Sequence, residues 1–256
     1  MIIGFDIGNT HIVTGIYDNF GNLLLSFRVA SESNLTEDQF FAYLKSISDF
    51  NKIDINKVEG VIISSVVPHL INIFQWLSKK YFKLEAIVVD MNLNVPFSFK
   101  EGLDSSGYGA DRLIDVVKAV KLYPNKNLMV LDFGTATTYE VLSNCIYIGG
   151  GILPGVHMSI NALFSNTSKL PKVKFDKPDT VLGRNTVEQI QAGMFFGYTG
   201  QIKEIIRQVK KSVDNLYVIA TGGLGRCISE ELDEIDEYLE NLATDGLFEL
   251  YLMNKN

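Results

Sequence analysis

The chain is 256 residues long, 46% hydrophobic and 21% charged, with a formal net charge of −7. That length accommodates one large domain or two of about half the size, and the acidic balance leaves no basic footprint for nucleic acid. No uninterrupted apolar stretch reaches the ~20 residues of a membrane span, and the first residues enter a strand without the features of a secretory leader. A cytoplasmic protein with no membrane or nucleic-acid partner is the expectation.

The first element is Ile2 to Tyr17, an apolar run that turns through Asp6-Ile7-Gly8-Asn9-Thr10 and resumes as a second strand. Successive backbone amides in such a turn form a concavity for phosphate oxygens, and glycine permits close approach. Asp6, at the strand end, is placed to hold a cation against those phosphates. Tight turns use these residue types in any case, so the motif alone says little. A third strand, Asn22 to Val29, follows the turn at Asp18 to Gly21.

Thr36-Glu37-Asp38-Gln39 is a capping-box start for a helix to about Phe50, with Phe40, Phe41, Leu44 and Ile47 on one face. Gly60 to Ser65 reads as a short buried strand, Pro68 opens a helix to about Tyr81 with Trp76 as a core residue, and Ala86 to Val89 is a further strand. Three antiparallel strands followed by helix–strand–helix–strand predict a mixed sheet flanked by helices. Asn92 to Tyr108, interrupted by Pro96, Gly102 and Gly107, reads as a long surface loop, a place where function concentrates. Gly109-Ala110-Asp111-Arg112 then leads a helix to about Leu122.

Leu128 to Leu142 repeats the opening scheme: an apolar run, Asp132-Phe133-Gly134-Thr135, hydroxyl residues and a second β-rich run. Asp132 lies about half a chain beyond Asp6, so two related halves are expected, divided at 120/121. Two phosphate-binding hairpins together make a nucleotide site. Asn144 to Ile152 supplies a turn and a strand. Gly149 to Gly155 reads as a glycine-rich helix entry, either a simple turn or a substrate contact.

Ser165 to Asn185 is polar and expected to be extended. Thr186 begins a helix to about Val213, with Val187, Ile190, Met194, Phe195 and Tyr198 spaced for burial. Leu216 to Ala220 is a buried strand, and Thr221-Gly222-Gly223-Leu224-Gly225 is a turn suited to a nucleotide's sugar and base. The acidic run Glu230 to Glu240 reads as a solvated face, and Asp245-Gly246-Leu247 opens a closing helix. Cys145 and Cys227 stand apart and read as reduced core thiols, and His11, His69 and His157 are too scattered for zinc.

Asp6-Ile7-Gly8-Asn9-Thr10, Gly109-Ala110-Asp111-Arg112 and Asp132-Phe133-Gly134-Thr135-Ala136-Thr137 stand in an order and spacing that, with Gly149 to Gly155, Asn185-Thr186 and Thr221-Gly222-Gly223, resemble the type III pantothenate kinases. The two Asp-x-Gly motifs are shared across the actin-like superfamily, whereas Gly-Ala-Asp-Arg is far more discriminating. The resemblance implies an α/β, actin-like fold of duplicated ribonuclease-H-like domains, each a mixed sheet flanked by helices, with a nucleotide cleft between. It also implies a homodimer and ATP-dependent phosphorylation of pantothenate to 4′-phosphopantothenate, the first step of coenzyme A biosynthesis. A potassium or ammonium ion and Mg2+ with ATP are the implied cofactors.

By position, the resemblance makes Asp6, Ile7, Gly8, Asn9, Thr10, His11, Ile12 and Val13 the first ATP-phosphate loop, Thr135 part of the second, and Asp132 the monovalent-cation ligand. Asp111 takes the place of the general base, and Gly109, Ala110, Asp111 and Arg112 form the pantothenate loop, with Thr186 as a further substrate contact at the dimer interface. Where the family carries an Asn-Pro pair and a substrate-contacting tyrosine, this chain has Phe97-Ser98-Phe99. Either Phe99 takes the packing role or Tyr108 replaces the tyrosine from another direction. Two other readings are a kinase of another small hydroxylated substrate and a nucleotide-sensing regulatory protein.

Overall fold

A computed structural model describes residues 1–255. The chain divides into two compact units, one formed by Met1–Leu122 with the C-terminal segment from Asn241, the other by Tyr123–Glu240.

In the first unit, β1 (Ile2–Ile7), β2 (His11–Tyr17) and β3 (Leu23–Ala30) form an antiparallel meander. After α1 (Glu37–Phe50) the chain enters β4 (Gly60–Ser65), parallel to β1, and after α2 (Pro68–Leu77) it enters β5 (Ile87–Val88), parallel to β4. The strand order is β3-β2-β1-β4-β5. The expected capping box is present: the Thr36 hydroxyl accepts from Gln39 N–H, and the Gln39 side chain accepts from Thr36 N–H. Ile3, Phe5 and Ile7 alternate onto one face of β1 and are fully buried. Phe5 meets Phe40 of α1 at 5.6 Å and Phe74 of α2 at 4.8 Å, ring centre to ring centre, which locks both helices onto that face. The loop that follows carries the two-residue strand β6 (Ser98–Phe99) and ends at α3 (Ala110–Leu122).

The second unit repeats this plan. β7 (Asn127–Phe133), β8 (Ala136–Ser143) and β9 (Ile146–Pro154) are antiparallel, and β10 (Leu216–Thr221) and β11 (Glu237–Tyr238) add in parallel, giving the order β11-β10-β7-β8-β9. Its helices are α4 (Val156–Ser165), the long α5 (Thr186–Lys210) and α6 (Gly225–Ser229). Met129, Leu131 and Phe133 face a core with Tyr198, Ile202 and Ile206 of α5. Positions 166–185 hold no regular element, yet Val173 is buried and Phe175 stacks on Phe195 at 5.5 Å.

Four expectations change. The closing helix α7 (Leu242–Asn254) starts three residues early and joins the first unit rather than the second half. The reason is close packing: a Cβ on Gly246 would lie 1.9 Å from the Ile114 carbonyl of α3, and Leu242, Leu247 and Leu250 are buried there. Each such leucine contributes about 2 kcal/mol of apolar burial. Trp76 is 57% exposed, on the outer side of α2, because Leu70, Phe74 and Leu77 take the inward positions. Val187 is exposed while Ile190, Phe195 and Tyr198 are buried as expected, and the acidic run hides Leu232 and Ile235 and supplies β11.

Candidate functional site

Asp6 sits on β1 one residue before the strand's end, paired with Val13 of β2 and Ser64 of β4. Beyond it Gly8 N–H donates to the His11 carbonyl at 2.9 Å, closing a four-residue turn between Ile7 and Ile12. Asn9, Thr10 and His11 are exposed on that turn, while Ile7 and Ile12 anchor it in the core. Ser31 N–H donates to the Thr10 carbonyl at 2.9 Å, fixing the loop's outer rim.

The second hairpin is shorter. Phe133 pairs with Thr137, leaving Gly134, Thr135 and Ala136 between, and Gly134 and Thr135 are exposed. Asp132 pairs with Thr138 of β8 and Thr221 of β10, the counterpart of Asp6 between Val13 and Ser64. Gly222, at a positive φ of 87°, passes directly beside it: a Cβ there would stand 2.4 Å from Asp132 Oδ1 and 2.7 Å from the Phe133 backbone. From the other side, a Cβ on Gly134 would be 3.1 Å from Asp132 Oδ2. The carboxylate therefore rests in a cradle walled by main chain. Among the described residues no group of three or more His, Cys, Asp or Glu side chains gathers as a metal site.

Behind this hairpin lies a residue the sequence marked only as core. The Tyr198 hydroxyl, on α5, hydrogen-bonds the Thr137 hydroxyl, and both side chains are buried. Burial pushes the Tyr198 phenol above its ordinary value and the Asp132 charge adds to this, with the Thr137 bond opposing. Nothing in the sequence pattern distinguishes Tyr198 from an apolar core position, since only the fold places Thr137 opposite it.

At the start of α3 the Asp111 carboxylate folds back over the helix's first turn, where its Oδ1 accepts from Arg112 N–H at 2.8 Å. Gly109 makes room, because a Cβ there would be 2.3 Å from that oxygen. The Arg112 guanidinium lies over the Tyr108 ring at 4.5 Å, Tyr108 meets Phe99 edge-on at 5.3 Å, and Phe99 meets Phe97 at 5.4 Å. Phe99 and Tyr108 thus stand in one aromatic row that ends on Arg112. In the second unit, Thr186 is exposed as the first residue of α5. Asn185 caps that helix by accepting from Glu188 N–H at 3.0 Å.

A duplicated five-stranded plan with an Asp-x-Gly hairpin on the central strand of each unit's plan is the actin-like fold. Solved structures carry the same fold. A Campylobacter jejuni protein described as a Baf family transcriptional activator covers 98% of each chain with a TM-score of 0.60 at 21% identity. A Listeria monocytogenes protein provisionally described as an N-acetylmannosamine kinase covers 100% of this chain and 99% of its own, with a TM-score of 0.52 at 13% identity. The family model for type III pantothenate kinase matches residues 2–208. A type III pantothenate kinase of Fusobacterium nucleatum is 56% identical over 256 residues, covering both chains completely. The chain belongs to the type III pantothenate kinase family.

Proposed function

We infer that the chain carries out its family's reaction, the ATP-dependent phosphorylation of pantothenate to 4′-phosphopantothenate that opens coenzyme A biosynthesis, with Asp111 as general base. The full-length match to the family carries the reaction itself. The residue roles draw their support from the local geometry around each.

Phosphoryl transfer asks for a positioned nucleophile and neutralised phosphate oxygens more than for covalent chemistry. Asp111 Oδ1 is held by the Arg112 amide, leaving Oδ2 to accept the proton of the substrate hydroxyl as it attacks. The Arg112 fork, steadied on Tyr108, suits pantothenate's carboxylate, which a guanidinium binds through two parallel hydrogen bonds. Gly109, Ala110, Phe99 and Thr186 complete the acceptor's contacts. The amides of the exposed turn at Asn9, Thr10 and His11, with Asp6, Ile7, Gly8, Ile12 and Val13 setting their direction, and those around Thr135 take the ATP phosphates. Mg2+ bound with ATP supplies charge neutralisation, and a potassium or ammonium ion fits the Asp132 cradle. The exposed apolar side chains Met158, Phe164, Val181, Leu182 and Val187 on and between α4 and α5 support a homodimer. Among the described residues no helix is long and apolar enough to cross a membrane, and the use of ATP supports a cytoplasmic location.

The test is a coupled ADP-release assay with pantothenate and Mg-ATP in potassium, ammonium or sodium buffer, beside light scattering of the same sample. Pantothenate-dependent turnover that requires potassium or ammonium, at twice the chain mass, is the expected result. A folded, ATP-binding protein without pantothenate-dependent turnover overturns the reading.

A further inference from the structure

The Thr137–Tyr198 hydrogen bond belongs to neither phosphate hairpin as a ligand contact, yet it joins the second hairpin to the longest helix of its unit. Thr137 is the second residue of β8 and pairs directly with Phe133, so it closes the Gly134–Ala136 turn. Tyr198 lies three turns into α5, with its ring 6.4 Å from that of Phe133 and 6.4 Å from that of Phe175. Thr137 is 1% exposed and Tyr198 4%, so no solvent competes for the bond. On the opposite side, a Cβ on Gly155 would stand 2.2 Å from the Thr135 carbonyl and 2.7 Å from that of Gly134. The turn is therefore gripped between the start of α4 and the Tyr198 hydroxyl.

We propose that Tyr198 is a positioning residue for nucleotide binding: its hydroxyl, through Thr137, holds the Gly134–Ala136 turn in the geometry that presents backbone amides to the ATP phosphates. The proposal rests on the reading of this hairpin as a phosphate loop. Backbone amides bind phosphate only when they converge, and convergence in a three-residue turn depends on how both strand ends are fixed. Tyr198→Phe keeps the ring and its packing and removes only the tether. A tether with a purely structural role would lower thermal stability and leave ligand affinity alone.

The experiment is calorimetric titration of ADP, with KM for ATP, KM for pantothenate, kcat and melting temperature, on Tyr198→Phe, Thr137→Val, the double variant and Thr137→Ser. One lost hydrogen bond's worth of order in the turn corresponds to a weakening of ADP binding by about tenfold. KM for ATP rises in parallel while kcat and KM for pantothenate stay within about twofold. The double variant is no worse than either single, and Thr137→Ser, which keeps a hydroxyl, binds as the wild type. Unchanged ADP affinity in Tyr198→Phe and Thr137→Val, or additive losses in the double variant, overturns the proposal. Thr135→Glu separates the two levels, since it sets a carboxylate on the exposed turn. If it abolishes ADP binding while Tyr198→Phe binds normally, only the tether is wrong. If Thr135→Glu binds ADP normally, the hairpin is not a phosphate loop and both statements fall.

Discussion

The two Asp-x-Gly hairpins occupy the same place in sheets of the same strand order, yet each is held by different means. Asp6 stands opposite Ser64 of β4, and the next residue of that strand, Ser65, uses its hydroxyl to accept from Val67 N–H at 3.0 Å in the turn toward α2. Asp132 stands opposite Thr221 of β10, and the next residue is Gly222, where the Asp132 carboxylate and the Phe133 backbone occupy the space a side chain would take. The first turn spans four residues and closes on itself through Gly8 N–H and the His11 carbonyl. The second spans three and is tied from outside by Tyr198. Duplication of a strand order did not duplicate the packing behind it, and that packing assigns the two carboxylates different surroundings.

The largest expected effect breaks this contrast at the paired positions 65 and 222. Gly222→Ala forces a Cβ into the Asp132 carboxylate at a left-handed φ and costs about 3 kcal/mol or more, whereas Ser65→Gly, losing the two local hydrogen bonds between the Ser65 hydroxyl and Val67 and some backbone restraint, costs about 1.5 kcal/mol. Denaturant unfolding of both variants checks the asymmetry, and equal losses would show that the two positions are equivalent after all. Next comes the buttress of the first unit. Tyr17 Oη donates to Asp245 at 2.5 Å and its ring stacks on Phe248 at 5.0 Å, joining β2 to α7. Burial and the Asp245 carboxylate hold that phenol far above its ordinary pKa, so it stays protonated and donating. Tyr17→Phe keeps the stack and loses a hydrogen bond to a charged group, a cost of about 2 kcal/mol read as a fall in melting temperature. The smallest effect has the opposite sign. The Thr14 hydroxyl is buried in β2 without a hydrogen-bond partner, so Thr14→Val removes a desolvated polar atom at constant shape and raises stability by about 1 kcal/mol in the same unfolding experiment.

The strands and both hairpins were legible because their signals are local: an apolar run, a polar turn and a second run, repeated half a chain apart. The capping box at Thr36 and Gln39 and the buried strand from Gly60 to Ser65 were legible for the same reason. Gly109 to Arg112 lie at the start of α3 and the two Asp-x-Gly segments form hairpins, where their local patterns placed them. What escaped depends on contacts between distant segments. The alliance of α7 with the first unit follows from Gly246 meeting Ile114, a pairing no local pattern encodes. Trp76 is the exception: the phase of Leu70, Phe74 and Leu77 on the same helix turns it outward, a local signal that its residue type outweighed. Tyr198 has the spacing of any inward residue of an amphipathic helix, and its hydroxyl acquires a purpose only once Thr137 lies opposite.

Asp111, folded over the first turn of α3, is the proposed acceptor of the proton from pantothenate's hydroxyl. The measurement that tests it most directly is the steady-state kcat of Asp111→Asn with pantothenate and Mg-ATP, beside its ADP affinity and melting temperature. The expected result is a fall in kcat of about a hundredfold, the loss typical of removing a general base, with nucleotide binding and stability retained. A variant that folds, binds ADP and turns over within a few-fold of the wild type would contradict it.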